Sequence, residues 1–229
     1  MSTQRNMNSA IQAREVSKQV SSGGTPLTIL EAVSLEVAAG ESLAIIGKSG
    51  SGKTTLLSLL AGLDTPSSGT ILLDGAALEQ MDEEQRAAHR AGRVGFVFQS
   101  FQLLEGFSAL ENVMLPAEIA GHDDAGARAG KLLAQIGLAE RTGHYPAQLS
   151  GGEQQRVAVA RAFAGEPSIL FADEPTGNLD TDTGARVIEL LFQLNQARNT
   201  TLVLVTHDPA LAQRCDRTLT LSAGKLVCP

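Results

Sequence analysis

The stretch GKSGSGKT, Gly47–Thr54, contains residue types that can surround a polyphosphate. It fits the spacing G-x-x-x-x-G-K-[ST], follows the apolar run SLAII and begins a leucine-rich helical pattern, the expected setting of a phosphate-binding loop (P-loop). Its glycines let backbone N–H groups face phosphate oxygens, Lys53 adds a cation for the β- and γ-phosphates, and the Thr54 hydroxyl can bind Mg2+. The alternative is a glycine- and serine-rich turn with an incidental lysine. The predicted contacts are Gly47, Lys48, Ser49, Gly50, Ser51, Gly52, Lys53, Thr54 and Thr55.

Two adjacent acids, Asp173 and Glu174, follow the apolar run ILFA at the end of a predicted buried strand. In an open parallel sheet, the carboxyl end of a strand is where ligands bind. We expect Asp173 to act on Mg2+ and Glu174 to accept a proton from an attacking water, as in metal-assisted hydrolysis. The alternative is a solvated acidic pair that begins the turn DEP.

His207 follows the strand-like run TLVLVT and is expected at the same edge of the sheet, within reach of a γ-phosphate. A lone histidine at a strand end is usually structural or simply exposed, so this assignment depends on the neighbouring motifs. His89, His122 and His144 lack such neighbours and are interpreted as surface residues. Lys53, Glu174 and His207 are the predicted catalytic residues.

The segment LSGGEQ, Leu149–Gln154, precedes a long helical pattern. Ser150 and Glu153 have the spacing of a capping box, in which each side chain accepts from the backbone of the other residue. A capping box does not require Gly151 and Gly152, and each glycine costs about 1 kcal/mol of helix propensity. An anion held close to the helix N-terminus would explain why both are glycine.

Composition limits the classes of function. The 229 residues carry a net charge of -7 and a pI near 5.1, which argues against a general nucleic-acid binder. Cys215 and Cys228 have no metal-ligand spacing and suit a reducing compartment. The first residues lack the apolar region of a signal peptide, and no apolar run approaches the roughly 20 residues that span a bilayer. We therefore expect a soluble chain whose membrane role, if any, comes from a partner.

The pattern of elements predicts an α/β fold. Residues 1–10 are polar and expected to be flexible, and strand-like and helix-like runs alternate over 11–229, as in one sheet with helices on both faces. The stretch from about Ser108 to Leu149 is helical and alanine-rich, which indicates a helical insertion. The run SAGKLV near the end has the turn residues of a hairpin.

The order of motifs is distinctive: the P-loop, FQS with Gln99, LSGGEQ, a strand ending in Asp-Glu, GNLD, and a strand ending in His. This combination resembles the ATP-binding cassette (ABC) ATPases from about Ile11 to Val227. Within the family, GFVFQSFQLLEGFSALENVMLP, YPAQLSGGEQQRVAVARAF and LFADEPTGNLD are similar to the MacB/LolD/FtsE-type group. The resemblance implies a P-loop NTPase fold with a RecA-like core, an N-terminal antiparallel β subdomain and an α-helical subdomain inserted at about 100–160.

In this family two ATPase domains pack head to tail with ATP between them. The resemblance implies that Gln99 binds Mg2+ with Thr54 and Asp173 and reports to a membrane partner, and that Asp180 lies at the dimer seam. A polar strand terminus and a helix N-cap are the alternatives for Gln99 and Asp180. The segment implied to contact the γ-phosphate held by the partner chain comprises Leu149, Ser150, Gly151, Gly152, Glu153 and Gln154.

The implied cofactors are ATP and Mg2+. The implied partners are a second copy of the chain when ATP is bound and a transmembrane permease of the MacB, LolC or YbbP type. Such a partner would place the chain on the cytoplasmic face of the bacterial inner membrane. Leu103, Leu104 and Phe107 are candidates for its docking surface, although core packing explains each of them equally well.

One position departs from the family. An aromatic residue near the first strand usually stacks on adenine, and the alignment of VSKQV puts Val20 there. Valine offers an apolar contact but no π-face, so we expect loose selection of the base.

Other functions are alternatives to ATP-driven transport. An FtsE-like regulator that signals through a membrane partner without moving substrate also uses one cassette. DNA-repair and ribosome-associated ABC ATPases usually carry a long coiled coil or two cassettes, neither of which occurs in this sequence. A small-molecule P-loop kinase has no use for LSGGEQ or His207.

Overall fold

The structure is a computed structural model that describes residues 9–22 and 25–227. Strands and helices alternate through it, which is the predicted α/β organisation. The elements in chain order are β1 (Ser9–Ser22), β2 (Thr25–Ala38), β3 (Ser42–Ile46), α1 (Lys53–Leu60), β4 (Ser68–Leu73), β5 (Ala76–Ala77), α2 (Glu83–Arg90), β6 (Val94–Phe98), α3 (Ala109–Ile119), α4 (Ala125–Gln135), α5 (Gly151–Ala164), β7 (Ile169–Asp173), α6 (Thr181–Arg198), β8 (Thr201–Thr206), α7 (Pro209–Ala212), β9 (Arg217–Ser222) and β10 (Lys225–Val227).

The chain divides into two compact units, residues 1–89 with 201–229 and residues 90–200. The predicted flexible N-terminus lies mostly outside the described residues, while Ser9 and Ala10 belong to β1. Within residues 9–22 and 25–227, no helix has the length and apolar character needed to cross a membrane.

The first unit contains an antiparallel sheet in the order β2-β1-β4-β5. Along β2, Leu30, Val33, Leu35 and Val37 are buried, and the residues between them are exposed. The pairing with β1 shifts by one residue between Leu30 and Val33, where Ala32 has a φ of 48°, so a bulge keeps these side chains on the core face. One face of the ribbon therefore packs on the core and the other faces solvent.

The same unit contains the parallel strands that position the P-loop. β3 pairs in parallel with β8 on one side and with β9 on the other. Every residue of β8 is buried, as expected for a parallel strand covered on both faces. Ile46 lies opposite Thr206, so the P-loop after β3 and His207 after β8 leave the sheet at the same edge.

The predicted C-terminal hairpin is present as β9 and β10. Its two turn residues, Ala223 and Gly224, have φ values of 47° and 78°. Positive φ at both central residues is the geometry that two-residue hairpin turns favour, because its twist matches that of the strands.

In the second unit, β6 pairs in parallel with β7, and Phe98 lies opposite Asp173. In the chain between these strands, the regular elements among the described residues are helices, the longest being α3, α4 and α5. Helices α3, α4 and α5 pack against one another, and α5 also packs against β6 and α6. Helix α5, which begins within the LSGGEQ segment, thus has neighbours on several sides.

A side-chain cluster at the start of β3 ties this strand to β9. The Asp216 carboxylate accepts from the Ser42 hydroxyl at 2.7 Å and from the Ser42 backbone N–H at 2.8 Å, and both bonds lower the pKa of Asp216 below its ordinary value of 3.8. Next to it, Cys215 is half-buried, and burial is the main cause that raises its thiol pKa to about 11. Cys215 is therefore a poor nucleophile at neutral pH, and Cys228 lies outside the described residues.

The lowered pKa of Asp216 makes stability depend on pH. Because this carboxylate binds protons less readily in the folded state, its contribution is present above its unfolded pKa of about 3.9 and is lost as pH falls through the folded value. We expect Asp216→Asn to lower the melting temperature at pH 7, with a difference from wild type that shrinks below about pH 4. Thermal unfolding across pH measures this, and Asp123→Asn, at an exposed carboxylate, is the control. A difference that does not change with pH would contradict the assignment.

Candidate active site

The P-loop is packed tightly on one side and open on the other. A Cβ on Gly47 would lie 2.3 Å from the Leu221 carbonyl oxygen, and one on Gly52, whose φ is 100°, would lie 3.0 Å from the Ile29 carbonyl oxygen. At Gly50, with a φ of 77°, a Cβ would meet nothing within 4 Å. Gly47 and Gly52 therefore have no room for a side chain, whereas Gly50 leaves backbone uncovered on the open side. Uncovered backbone is what close approach of a phosphate requires.

Lys53 lies across its own loop. Its side chain is buried, and Nζ donates to the carbonyl oxygens of Gly47 at 2.9 Å and Lys48 at 3.1 Å. The buried Ser51 hydroxyl has no hydrogen-bond partner among the described residues. A buried cation and an unsatisfied hydroxyl at a helix N-terminus fit a bound anion, since both groups and the helix dipole favour negative charge.

Thr54 lies exposed in the first turn of α1, immediately after Lys53. His207 is exposed, and it follows β8 at the sheet edge where Gly47 follows β3. The structure therefore places residues from two separate sequence segments at one edge of the sheet, Lys53 and Thr54 of the P-loop and His207 after β8. Parallel pairing of β3 with β8 is the physical cause.

A second group of predicted residues lies at the ends of β6 and β7. Because Phe98 lies opposite Asp173, Gln99 and Glu174 follow the two strands at the same edge. Glu174 is half-buried and has a φ of 45°, a left-handed conformation that is uncommon for a residue with a side chain. Such backbone conformations cluster at functional sites because surrounding structure must hold them.

Asn178, which the sequence analysis did not select, holds Gln99. Gln99 Nε2 donates to Asn178 Oδ1 at 3.2 Å, and Asn178 Nδ2 donates to the Gln99 carbonyl oxygen at 3.0 Å. The motif GNLD gave a signal for this residue, because an amide side chain beside a glycine is typical of a turn. The contact between Asn178 and Gln99 is seen only in the folded structure.

These residues suit Mg2+ that is shared with phosphates. Among residues 9–22 and 25–227, no three His, Cys, Asp or Glu side chains gather into a metal site. Mg2+ is usually held by one or two carboxylates together with substrate phosphates and water, so Asp173 as the one carboxylate is sufficient. Gln99, which follows β6 at the same edge as Asp173, carries a further oxygen of the type that Mg2+ prefers.

Helix α5 begins with the predicted capping box. Ser150 Oγ accepts from the Glu153 N–H at 3.3 Å, and Glu153 Oε2 accepts from the Ser150 N–H at 2.8 Å. The Ser150 hydroxyl also donates to Glu153 Oε2 at 2.9 Å. The Ser150 backbone bond is the largest cause that lowers the pKa of Glu153. The carboxylate thus stays charged at the helix N-terminus, where the dipole favours it.

The two glycines of LSGGEQ have different physical reasons. A Cβ on Gly152 would lie 2.3 Å from Thr183 Cγ2, so α5 and α6 can pack this closely only with glycine at this position. A Cβ on Gly151 would lie at ordinary contact distances, 3.6 Å from Leu179 and 3.7 Å from Phe101. Packing against Thr183 is therefore a second physical reason for glycine at position 152, and an anion beside the two glycines stays a prediction.

A polar cavity of about 380 Å³ opens beside this helix start. Besides the Ser150–Gly152 loop, its lining includes two arginines that the sequence analysis missed, Arg156 and Arg186. The buried Nε of Arg156 has no hydrogen-bond partner among the described residues, whereas Arg186 donates to the Thr183 hydroxyl at 3.3 Å. Arg156 lies four residues after Gly152, one helical turn along the same face, and this spacing was the available signal.

Asp180, also in this lining, is the N-cap of α6. Its carboxylate accepts from the Thr183 N–H at 3.0 Å, which is the main cause that lowers its pKa. The cap is the structural alternative weighed for this residue, and it also fixes the carboxylate at the edge of the cavity.

Val20 is 39% exposed near the end of the β1–β2 ribbon, directly opposite Leu27, which is 51% exposed. Leu27 precedes Ile29 by two residues, about 7 Å along a strand, and the Ile29 carbonyl lies against Gly52. The structure therefore places an aliphatic pair, with no aromatic ring, a short distance from the P-loop.

Several other predicted residues have surroundings that differ from the sequence interpretation. Leu104 and Phe107 are 42% and 39% exposed, so core packing does not explain them. His89, His122 and His144, interpreted as surface residues, are all partly buried. His89 Nε2 lies 2.9 Å from the Leu73 carbonyl oxygen, which indicates a structural role.

Residues 30–177, more than half of the chain, match the family described as ABC transporter. The chain belongs to the ABC transporter family. It is 56% identical over 218 residues to "Uncharacterized ABC transporter ATP-binding protein YbbA" of Escherichia coli strain K12, with 94% of this chain and 96% of the relative covered. It is 46% identical to "Lipoprotein-releasing system ATP-binding protein LolD" of Bordetella avium, with 98% and 99% covered.

The fold of this chain is also similar to that of solved ATP-binding cassettes. The dimeric post-hydrolysis state of the ATP-binding cassette MJ0796 bound to ADP and Pi has a TM-score of 0.88 and 37% identity, over 95% of this chain and 97% of that one. This confirms the predicted P-loop NTPase fold. The chain is the ATP-binding, ATP-hydrolysing subunit of an ABC transporter, and its cofactors are ATP and Mg2+.

The two glycines of LSGGEQ should respond differently to alanine. We expect Gly152→Ala to destabilise the chain by about 1–3 kcal/mol, because its methyl group overlaps Thr183 Cγ2, and Gly151→Ala to be close to wild type. Denaturant unfolding measures both. Gly152→Ala combined with Thr183→Ser, which removes the clashing methyl group, should recover most of the lost stability. Equal destabilisation by the two alanines would contradict the packing argument.

Proposed function

We propose that the chain hydrolyses ATP at a composite site to which the P-loop contributes phosphate binding. The loop amides and Lys53 bind the β- and γ-phosphates, and Thr54, Gln99 and Asp173 hold Mg2+. When bound, Mg2+ neutralises charge on the phosphate oxygens. The glycine cradle, the buried Lys53 cation and the unsatisfied Ser51 hydroxyl support this assignment.

Glu174 is the proposed general base. A carboxylate in this role orients the attacking water and accepts its proton, a contribution of roughly 10²- to 10⁴-fold. The left-handed backbone at Glu174 supports the role, because the fold maintains a conformation that the residue does not prefer by itself. His207, at the edge shared with the P-loop, contacts the γ-phosphate.

The second half of each site comes from a second copy of the chain. The single observation that carries this proposal is the cavity beside Ser150–Gly152, where a helix N-terminus, Arg156 and Arg186 face one open space of about 380 Å³. This arrangement favours an anion. In a head-to-tail dimer it covers the γ-phosphate held by the partner's P-loop, with Leu149, Glu153 and Gln154 supporting the loop and Asp180 at the seam.

ABC ATP-binding subunits work as dimers with transmembrane partners. We propose a permease of the MacB, LolC or YbbP type as the partner, used for export, lipoprotein extraction or transmission of force at the inner membrane. The exposed Leu104 and Phe107, which follow Gln99 closely, support a docking surface in this segment. The chain then works on the cytoplasmic face through that partner, and residues of about 100–160 act as a helical subdomain.

Glu174→Gln separates ATP binding from hydrolysis. We expect turnover to fall roughly 10²- to 10⁴-fold, with ATP affinity retained, because the amide cannot accept the proton. With saturating ATP and Mg2+, this variant should form a dimer by size-exclusion chromatography with light scattering. Glu140→Gln, at an exposed acid, is the control for both measurements. A Glu174→Gln protein that stays monomeric under these conditions would refute the shared site.

Base selection tests the proposed contact at Val20. We expect ATP and GTP to be hydrolysed with similar kcat/KM, because an aliphatic contact does not discriminate between bases as a stacked ring does. Val20→Tyr should raise ATP affinity about fivefold or more if the base lies on this residue. Thr28→Tyr places a ring on the same ribbon and controls for nonspecific binding. Strong ATP preference in wild type would count against the proposal.

A further inference from the structure

Arg161 in α5 binds the backbone of a turn that follows Gln99. Its Nη1 donates to the Gln102 carbonyl oxygen at 2.6 Å and its Nη2 to the Phe101 carbonyl oxygen at 3.0 Å. No carboxylate among the described residues forms an ion pair with Arg161, and burial lowers its pKa. A charged side chain is thus desolvated in order to hold two backbone oxygens.

The turn that Arg161 holds is strained. Phe101 and Gln102 have φ values of 59° and 48°, two successive left-handed residues that are not glycine. The Gln102 N–H donates to the Ser100 carbonyl oxygen at 2.5 Å, a bond between residues i and i+2 that closes a tight turn around Phe101. Such a conformation persists only when surrounding structure fixes it, and the Arg161 fork supplies two charge-assisted bonds that do so.

Helix α5 also holds the residues on the other side of Gln99. The buried Gln155 donates from Nε2 to the Phe98 carbonyl oxygen at 3.3 Å. The Phe101 ring lies 3.7 Å from where a Cβ on Gly151 would be. Gln99 therefore sits between two backbone segments that are fixed to α5, and the Phe101 ring of the 100–102 turn lies close to the first residue of that helix.

We propose that Arg161 is a positioning residue for ATP hydrolysis: by holding the 100–102 turn it sets the placement of Gln99 and of the loop at Gly151 together. Arg161 contacts no reacting atom and acts through these two sites. The inference rests on the proposed roles of Gln99 and of the Ser150–Gly152 loop. It adds that a shift of either one is passed to the other through the backbone of residues 100–102.

The first experiment compares two half-buried arginines that each donate to a backbone carbonyl oxygen. Arg198 donates to the Phe163 carbonyl oxygen at 2.5 Å, and burial lowers its pKa as well, but it lies at the end of α6. We expect Arg161→Met to lower kcat roughly tenfold or more, with the equilibrium Kd for ATP unchanged, as charge-assisted bonds are lost. Arg198→Met should lower only the melting temperature. Wild-type kcat in folded Arg161→Met would overturn the proposal, and Arg161→Lys, which cannot form the fork, carries the same comparison if Arg161→Met does not fold.

The second experiment relieves the strain. At the φ of Gln102, glycine has no steric penalty, so Gln102→Gly should let the turn form without the arginine and raise the kcat of Arg161→Met about threefold or more. Asn199→Gly, at a φ of 51° at the end of α6, gives the same relief elsewhere and should not raise it. Equal recovery from both glycines would overturn the proposal. A wild-type protein without ATPase activity, or a Glu174→Gln protein without ATP-dependent dimerisation, would instead refute the proposed function.

Discussion

A protein binds a polyphosphate at neutral pH through backbone N–H groups and cations that its own hydrogen bonds and ion pairs do not use. Helix N-termini are the main source of such N–H groups, and within residues 9–22 and 25–227 two of them, at Lys53 and at Gly151, lie in the motifs proposed to bind phosphate. The first helix start carries the cation of Lys53 itself. The second shares a cavity with the cations of Arg156 and Arg186. The rest of the structure keeps these two helix starts open to a ligand.

Keeping them open requires rigid support. The P-loop is fixed by β3, which is paired on both sides, and by the backbone of Ile29 and Leu221 pressed against its glycines. The start of α5 is fixed by its capping box and by the close packing that Gly152 permits against Thr183. In both places glycine has two functions, since it allows close packing on one side and leaves backbone accessible on the other.

Left-handed residues mark the places where the fold imposes geometry on the site. Glu174 takes this conformation directly after β7, and Phe101 and Gln102 take it shortly after β6. Neighbouring parallel strands end at these points, and α5 contacts the segment after β6 through Gln155 and Arg161. The backbone geometry at these proposed site residues is thus maintained by the sheet edge and one helix rather than by local preference.

The sequence by itself determined the fold class, the P-loop, the acidic pair and the capping box, because each is a local pattern whose chemistry depends on residues a few positions apart. The tertiary structure decided what depends on packing between distant segments: that Gly152 packs closely on Thr183 and that Asn178 binds Gln99. It also decided that Arg156 and Arg186 line a cavity and that Arg161 binds the 100–102 turn. Arginines in a helix pattern are usually solvated, so the helical spacing of Arg156 from Gly152 was too weak a signal to select it by itself. Only the folded chain shows which guanidinium groups are turned toward a cavity or a strained turn.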